Sequence, residues 1–178
     1  MRLRVRVGAC VAVLFLAVTP LAAQEDALVA VGDMAPVVVV PDLDGGSYDL
    51  ADVLGKRPVL VEFWATWCTS CEAMLPRLRA AHAAYGEAVE FIGVNVTIAE
   101  TLDGVRQYMK DEAPPFRALY DSSGVAARAY GPPATSWIMI ADAEGRVVYT
   151  GLGGTQNLEP VLRQVAALQN EVVRHGAD

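Results

Sequence analysis

A single stretch, residues 59–76, limits the possible folds of this chain more than any other, because it joins a strand pattern to a helical pattern through two cysteines. Residues 59–64 are apolar, β-branched or aromatic apart from one glutamate, which predicts a buried strand. After a turn of three residues, Cys68 stands at the start of a helical pattern, where free backbone N–H groups and the helix dipole stabilise a thiolate. Cys71, at i+3, lies on the same helix face. The pattern predicts a redox-active pair in which Cys68 attacks and Cys71 resolves the mixed disulfide.

The counts of cysteine and histidine limit the other uses of this pair. Of three cysteines, Cys10 lies in an apolar N-terminal segment, so a processed chain keeps only Cys68 and Cys71. A zinc site normally takes four ligands, and the two histidines, His82 and His175, stand at spacings unlike any usual zinc finger. We therefore expect no metal and no other cofactor. A purely structural disulfide remains an alternative, although so small a loop stabilises a fold weakly.

Length, hydrophobicity and charge set the class of protein. A chain of 178 residues with 53% hydrophobic residues is sufficient for one domain with a single core. The net charge of -7 argues against a nucleic-acid partner, because phosphate binding requires clustered lysine and arginine.

The N-terminus has the layout of a signal peptide. Three arginines precede an apolar run at residues 7–18, and small residues close the segment before Gln24. The run is too short for a comfortable membrane span, which needs roughly 20 apolar residues. We expect residues 1–23 to be a signal peptide that exports the domain to the periplasm or a similar compartment. Because Leu21 is larger than the ideal residue near the cleavage site, an uncleaved membrane anchor is the alternative.

Strand and helix patterns alternate along the rest of the chain. Strands are predicted at residues 37–40, 59–64, 89–96, 135–140 and 147–150, and helices from Cys68 to Tyr85, over 101–110, up to Tyr130 and from Leu158 onward. The last helix is expected to pack on the sheet through Val161, Leu162, Val165 and Leu168. This alternation predicts an α/β domain with a parallel pair of strands at its centre.

Two motifs carry a resemblance to a known family. Residues 63–71, Phe-Trp-Ala-Thr-Trp-Cys-Thr-Ser-Cys, followed by Pro76, resemble the active site of the thioredoxin superfamily, and most closely that of the exported TlpA-like and ResA-like thiol-disulfide oxidoreductases. Gly-Pro-Pro-Ala-Thr at residues 131–135 resembles the cis-proline loop of that family. The resemblance covers about residues 31–173. It implies a thioredoxin-like fold, with a central mixed sheet flanked by helices and an N-terminal β-hairpin extension.

The resemblance also implies a role for a charged residue in the first central strand. By alternation Glu62 points opposite to Val61 and Phe63, and thioredoxin has a buried carboxylate at the matching place. Such a carboxylate has a raised pKa and exchanges a proton with the second cysteine, here Cys71. The alternative is that the Glu62 side chain reaches solvent or a backbone donor and has no chemical role.

The expected substrate surface combines Trp67, Pro132 and Pro133. In the family the cis-proline, here Pro133, lies against the cysteine pair, and the backbone of the preceding residue contacts the substrate. Pro132 departs from the pattern because it has no N–H to donate. Trp67 is expected to cover the cysteine pair and to form part of the docking surface.

A second glutamate of ResA-like proteins has no direct counterpart. It follows the second central strand at the place that Ile98 occupies here, and Glu100 comes two residues later. We expect Glu100 to interact with the dipole of the helix that begins near Thr101.

The resemblance implies dithiol-disulfide exchange on exported proteins that carry paired cysteines. The expected role is that of a reductase that a membrane electron donor keeps reduced, with a place in cytochrome c maturation. Residues 69–70 contain no histidine or cation, which predicts a couple near the reducing end of the family's range. The alternatives are a disulfide-introducing oxidase and a module that docks clients without turnover. A peroxiredoxin is a further rival, but its motif needs proline and threonine where this chain has Val61 and Ala65.

Overall fold

The computed structural model describes residues 28–175, so the predicted signal peptide at residues 1–23 lies outside the described residues. Within this range the strands are β1 (Val39–Pro41), β2 (Ser47–Asp49), β3 (Val59–Trp64), β4 (Glu90–Asn95), β5 (Arg117–Tyr120), β6 (Trp137–Ala141) and β7 (Val147–Leu152). The α-helices of the same range are α1 (Thr69–Tyr85), α2 (Leu102–Glu112), α3 (Val125–Tyr130) and α4 (Glu159–His175). Among these described helices, none combines the length and apolar character needed to cross a bilayer.

Five strands form one mixed sheet in the order β5-β4-β3-β6-β7. The central strand, β3, is parallel to β4 and antiparallel to β6. At the two edges, β5 is parallel to β4 and β7 is antiparallel to β6. The predicted mixed sheet with a parallel pair at its centre is confirmed. The sequence did not predict β5, because its four residues are too few to show a clear period.

The alternation of side chains along β3 divides the core between the two faces of the sheet. Val61 and Phe63 pack with the N-terminal strands and α3. Leu60 faces the other way and packs with α1 and α4. All six residues of β3 are buried, which is typical of a strand covered on both faces. Glu62 alternates with its neighbours onto the α1 side, as predicted.

The predicted N-terminal hairpin extension is confirmed by the antiparallel pairing of β1 with β2. The segment before it is held to α3 by two hydrogen bonds. The N–H of Val29 donates to the carbonyl of Tyr130 at 3.1 Å, and the Tyr130 hydroxyl donates to the carbonyl of Pro36 at 2.6 Å. The extension therefore closes the face of the sheet that lies opposite α1.

The apolar face of α4 differs from the predicted one at a single residue. Leu162, Val165 and Ala166 are buried, whereas Leu168 is 53% exposed. At 100° per residue Leu168 is rotated about 120° from Leu162 around the helix axis, beyond the stripe that touches the sheet. The expectation that Leu168 packs on the sheet was therefore wrong.

Gly93 provides a test of the packing behind the central strands. Its β-carbon, if present, would overlap the ring of Phe116, which packs at a tilt against Trp64 with a centroid separation of 5.4 Å. We expect Gly93→Ala to lower the free energy of unfolding by about 1–3 kcal/mol, because the ring must shift in a packed core. Gly104→Ala in the exposed part of α2 is the control and should change stability by less than about 1 kcal/mol. Equal urea midpoints for Gly93→Ala and the unmodified protein would contradict this packing.

Candidate active site

Cys68 is the N-cap of α1, as the strand-turn-helix pattern predicted. The helix begins at Thr69 and continues through Pro76 to Tyr85. The backbone N–H of Cys71 donates to the sulfur of Cys68 at 3.1 Å, and the Cys68 carbonyl accepts the first bonds of the helix. A thiolate on Cys68 would therefore receive a hydrogen bond and the positive end of the helix dipole.

Cys68 and Cys71 form a disulfide, with their Cα atoms 5.2 Å apart. In this state the two residues are buried to nearly the same degree, with exposed fractions of 6% and 5%. An attacking cysteine is expected to be the more exposed of the pair, and in the disulfide form Cys68 is not. What separates the two residues is position, because only Cys68 lies before the first turn of the helix.

Aromatic side chains close over the cysteines from the direction of α2. Trp64 packs in one cluster with both cysteines and with Val105 of α2. Its indole lies 5.3 Å from the ring of Tyr108, measured between centroids, and is almost completely buried. Burial, and secondarily the charges of Glu112 and Glu62, raise the pKa of Tyr108 above its ordinary value. The two cysteines therefore lie in a largely apolar environment, where electrostatic interactions are strong.

Glu62 lies inside this environment, on the same face of β3 as Trp64. Its residue is 1% exposed, and its Oε1 has no hydrogen-bond partner among the described residues. Burial disfavours the charged carboxylate and raises the pKa of Glu62 from 4.5 to about 8. The alternative in which Glu62 reaches solvent does not hold for this structure. A carboxyl group with such a pKa can gain or lose a proton near neutral pH.

Trp67 lies beside Cys68 and, unlike Trp64, is half exposed to solvent. Its indole Nε1 donates to the carbonyl of Ile98 at 2.8 Å, in the loop after β4. The position agrees with a residue of a docking surface, and the hydrogen bond defines the orientation of the indole.

Glu100 does not have the predicted role. The N-cap of α2 is Thr101, whose hydroxyl accepts the N–H of Gly104 at 3.2 Å. The Glu100 carboxylate instead accepts the N–H of Thr66 at 2.6 Å and the Asn95 side-chain amide at 2.6 Å. It therefore joins the end of β4 to the turn that carries the cysteines. The sequence offered only an amide, Asn95, in an apolar strand pattern, which indicates that a polar partner is needed but does not identify Glu100.

The expectation of a cis peptide bond at Pro133 was wrong, since the described residues contain no cis bond. Pro133 is exposed and Pro132 is half-buried. The chain instead enters β6 through Ser136, which has a left-handed φ of 63° and donates its N–H to the carbonyl of Phe63 at 2.7 Å. A trans bond before proline is the default in folded proteins, and the motif resemblance alone had favoured the cis form.

Known proteins of similar sequence support the prediction that the cysteine pair is redox-active. The family model described as Redoxin matches residues 30–165. The thiol-disulfide oxidoreductase ResA of Geobacillus kaustophilus is 31% identical over 79% of this chain and 81% of its own length.

Solved structures show the same fold. The thioredoxin domain of a thiol-disulfide oxidoreductase from Bacteroides vulgatus has a TM-score of 0.66 and 26% identity, covering 77% of this chain and 99% of that one. A secreted disulfide oxidoreductase of Mycobacterium tuberculosis, described as homologous to DsbE of E. coli, has a TM-score of 0.60 and 26% identity over 73% of this chain and 95% of its own.

In this chain the shared fold delivers a disulfide-bonded cysteine pair from a strand to a helix N-terminus, in a mixed five-stranded sheet. The chain belongs to the Redoxin family, and within the thioredoxin superfamily it is a ResA-like thiol-disulfide oxidoreductase whose exchanging pair is Cys68 and Cys71.

Proposed function

We propose that this oxidoreductase reduces disulfides in exported proteins, with Cys68 as the attacking thiolate and Cys71 as the resolving thiol. The observation that carries the proposal is the hydrogen bond from the Cys71 N–H to the Cys68 sulfur at the start of α1. No cation or histidine stands between the cysteines, so the helix terminus is the main stabilisation of the thiolate. A thiolate stabilised this weakly favours the reducing end of a range from about -270 to about -120 mV.

The reaction consists of two exchange steps that transfer two electrons. The Cys68 thiolate attacks one sulfur of the client disulfide, which forms a mixed disulfide and releases the other client sulfur as a thiolate. Cys71 then loses its proton and attacks the Cys68 sulfur, which releases the second client thiol. The Cys68–Cys71 disulfide is the spent form of the enzyme. A membrane-bound dithiol donor would return it to the reduced form.

Glu62 is proposed to receive the proton of Cys71 in the second step. It lies on the α1 face of β3, two residues from Trp64, which belongs to the same buried cluster as both cysteines. Its raised pKa, about 8, keeps a proton exchangeable near the pH at which a thiol ionises.

The proposed clients are exported proteins with paired cysteines, such as the apo forms of c-type cytochromes. Support comes from the predicted signal peptide at residues 1–23 and from the similar M. tuberculosis protein, which is described as secreted. Trp67, Pro132 and Pro133 are the proposed substrate surface, and the acidic net charge gives no basis for a nucleic-acid partner. An oxidase with the same exchange steps in reverse is the second candidate, and measuring the redox potential separates the two.

Cys71→Ser tests the order of the steps. We expect it to accumulate mixed disulfides between Cys68 and exported proteins with paired cysteines, because no resolving thiol is present. Cys68→Ser is the matched control and should trap far less, since Cys71 lacks the help of the helix terminus. Mass spectrometry of the adducts identifies the clients. Equal trapping by both variants contradicts the ordered mechanism, and no trapping, together with no reduction of insulin by the unmodified protein, favours a docking module.

Glu62→Gln tests the proton transfer. Release of reduced client from the mixed disulfide should slow on the order of 100-fold, because glutamine cannot accept the Cys71 proton. In the unmodified protein the release rate should rise as the pH passes through about 8, where Glu62 ionises, and the variant should lack this inflection. Single-turnover rates with a cystine peptide between pH 6 and 9 make the measurement. Superimposable profiles would show that Glu62 does not take part in the exchange.

The same variant has a separate effect on stability. The folded protein holds the Glu62 proton up to about pH 8, whereas the unfolded chain releases it near 4.5. The contribution of Glu62 to stability is therefore largest below pH 4.5 and is lost as the pH rises from 4.5 to about 8. Glu62→Gln should remove this loss and stabilise the fold at pH 8 by up to about 4 kcal/mol, with little change at pH 4. Urea unfolding at both pH values makes the comparison. A variant that is less stable at pH 8 would contradict the buried, uncompensated carboxylate.

A further inference from the structure

The loop after β4 has an unusual backbone and an exposed apolar tip. Thr97 and Ala99 both have left-handed φ angles, 59° and 56°, although neither is glycine. Between them Ile98 is 64% exposed. This conformation costs free energy, so it persists only where the surroundings over-determine it.

Side-chain hydrogen bonds hold the loop in this form. The Asn95 carbonyl oxygen Oδ1 accepts the N–H of Thr97 at 2.9 Å, and the Thr97 hydroxyl donates to the carbonyl of Asp121 at 3.3 Å. The Asn95 amide donates to Glu100, which closes the other end of the loop. The tip is therefore presented by a rigid support, which lowers the entropy cost of binding a partner.

The loop is joined to the cysteine turn at two points. Glu100 accepts the N–H of Thr66, and the carbonyl of Ile98 accepts the indole N–H of Trp67. Trp67, itself 52% exposed, directly precedes Cys68 in the chain. Two residues with exposed apolar side chains are thus linked at the turn that carries Cys68.

We propose that Trp67 and Ile98 form a docking pair that binds an apolar side chain adjacent to the reacting cysteine of an extended client segment. This inference rests on the proposed function, because the client disulfide must approach Cys68. Residues next to the client cysteine then lie over the neighbouring surface, and a folded client would keep such apolar side chains buried. An unfolded exported chain exposes them, so the pair selects clients before they fold. The indole supplies a large, rigid contact area, and Ile98 supplies the second wall.

Two cystine peptides that differ only in the residue before cysteine, leucine or alanine, test the pair. Reduced protein should show a higher kcat/KM for the leucine peptide, by about fivefold to tenfold, from burial of the larger side chain. Ile98→Thr keeps the branched shape but makes the wall polar, and it should bring this ratio close to one. Val172→Thr is the matched control, since Val172 is 60% exposed on α4 beside the turn between β6 and β7. This control should keep the ratio of the unmodified protein.

A general loss of activity lowers kcat/KM for both peptides and leaves their ratio unchanged. The failure of the docking pair can therefore be told apart from the failure of the proposed function. A protein that reduces insulin but treats both peptides alike overturns the docking pair alone, as does an unchanged ratio in Ile98→Thr. An equal fall of the ratio in Val172→Thr also overturns it. A protein that reduces neither insulin nor either peptide overturns the proposed function together with the docking pair.

Discussion

The free N–H groups at the start of α1 are the constraint on which the rest of the site depends. The Cys68 sulfur accepts one of these N–H groups and lies at the positive end of the helix dipole. This position stabilises a thiolate on Cys68 more than one on Cys71, although the two residues are buried to nearly the same degree. Delivering a residue to this point requires a strand that ends in the core, directly before the helix. The fully buried β3, with paired neighbours on both sides, provides that support.

The side of the sheet that carries α1 combines apolar packing with one ionisable group. Glu62 interrupts the apolar pattern of β3, and its burial is unfavourable because no described residue pairs with its Oε1. The carboxyl group remains protonated to about pH 8 as a result. Burying Glu62 lowers the stability of the fold, but it shifts the protonation of this carboxyl group into the pH range in which thiols ionise. Such perturbed pKa values are typical of active sites.

A second network holds the turn before the cysteines. Asn95 and Glu100 belong to the end of β4 and the loop after it, and Glu100 bonds to the backbone of Thr66. Trp67 adds a parallel link to Ile98. The reactive turn is therefore positioned from both directions, by the helix that follows it and by a neighbouring loop.

The sequence by itself determined β3, the position of Cys68 at the N-terminus of α1, and the face of β3 on which Glu62 lies. Each of these depends on short-range periodicity or on the chemistry of a helix end. Local patterns also gave the order of the other elements apart from β2 and β5, and the hairpin extension followed from the family resemblance. The tertiary structure alone decided the role of Glu100, which bonds to a residue 34 positions away, and the left-handed backbone of Ser136 before β6. It also left Leu168 outside the packed stripe of α4. These features depend on which distant groups meet in space, and local periodicity contains no information about such contacts.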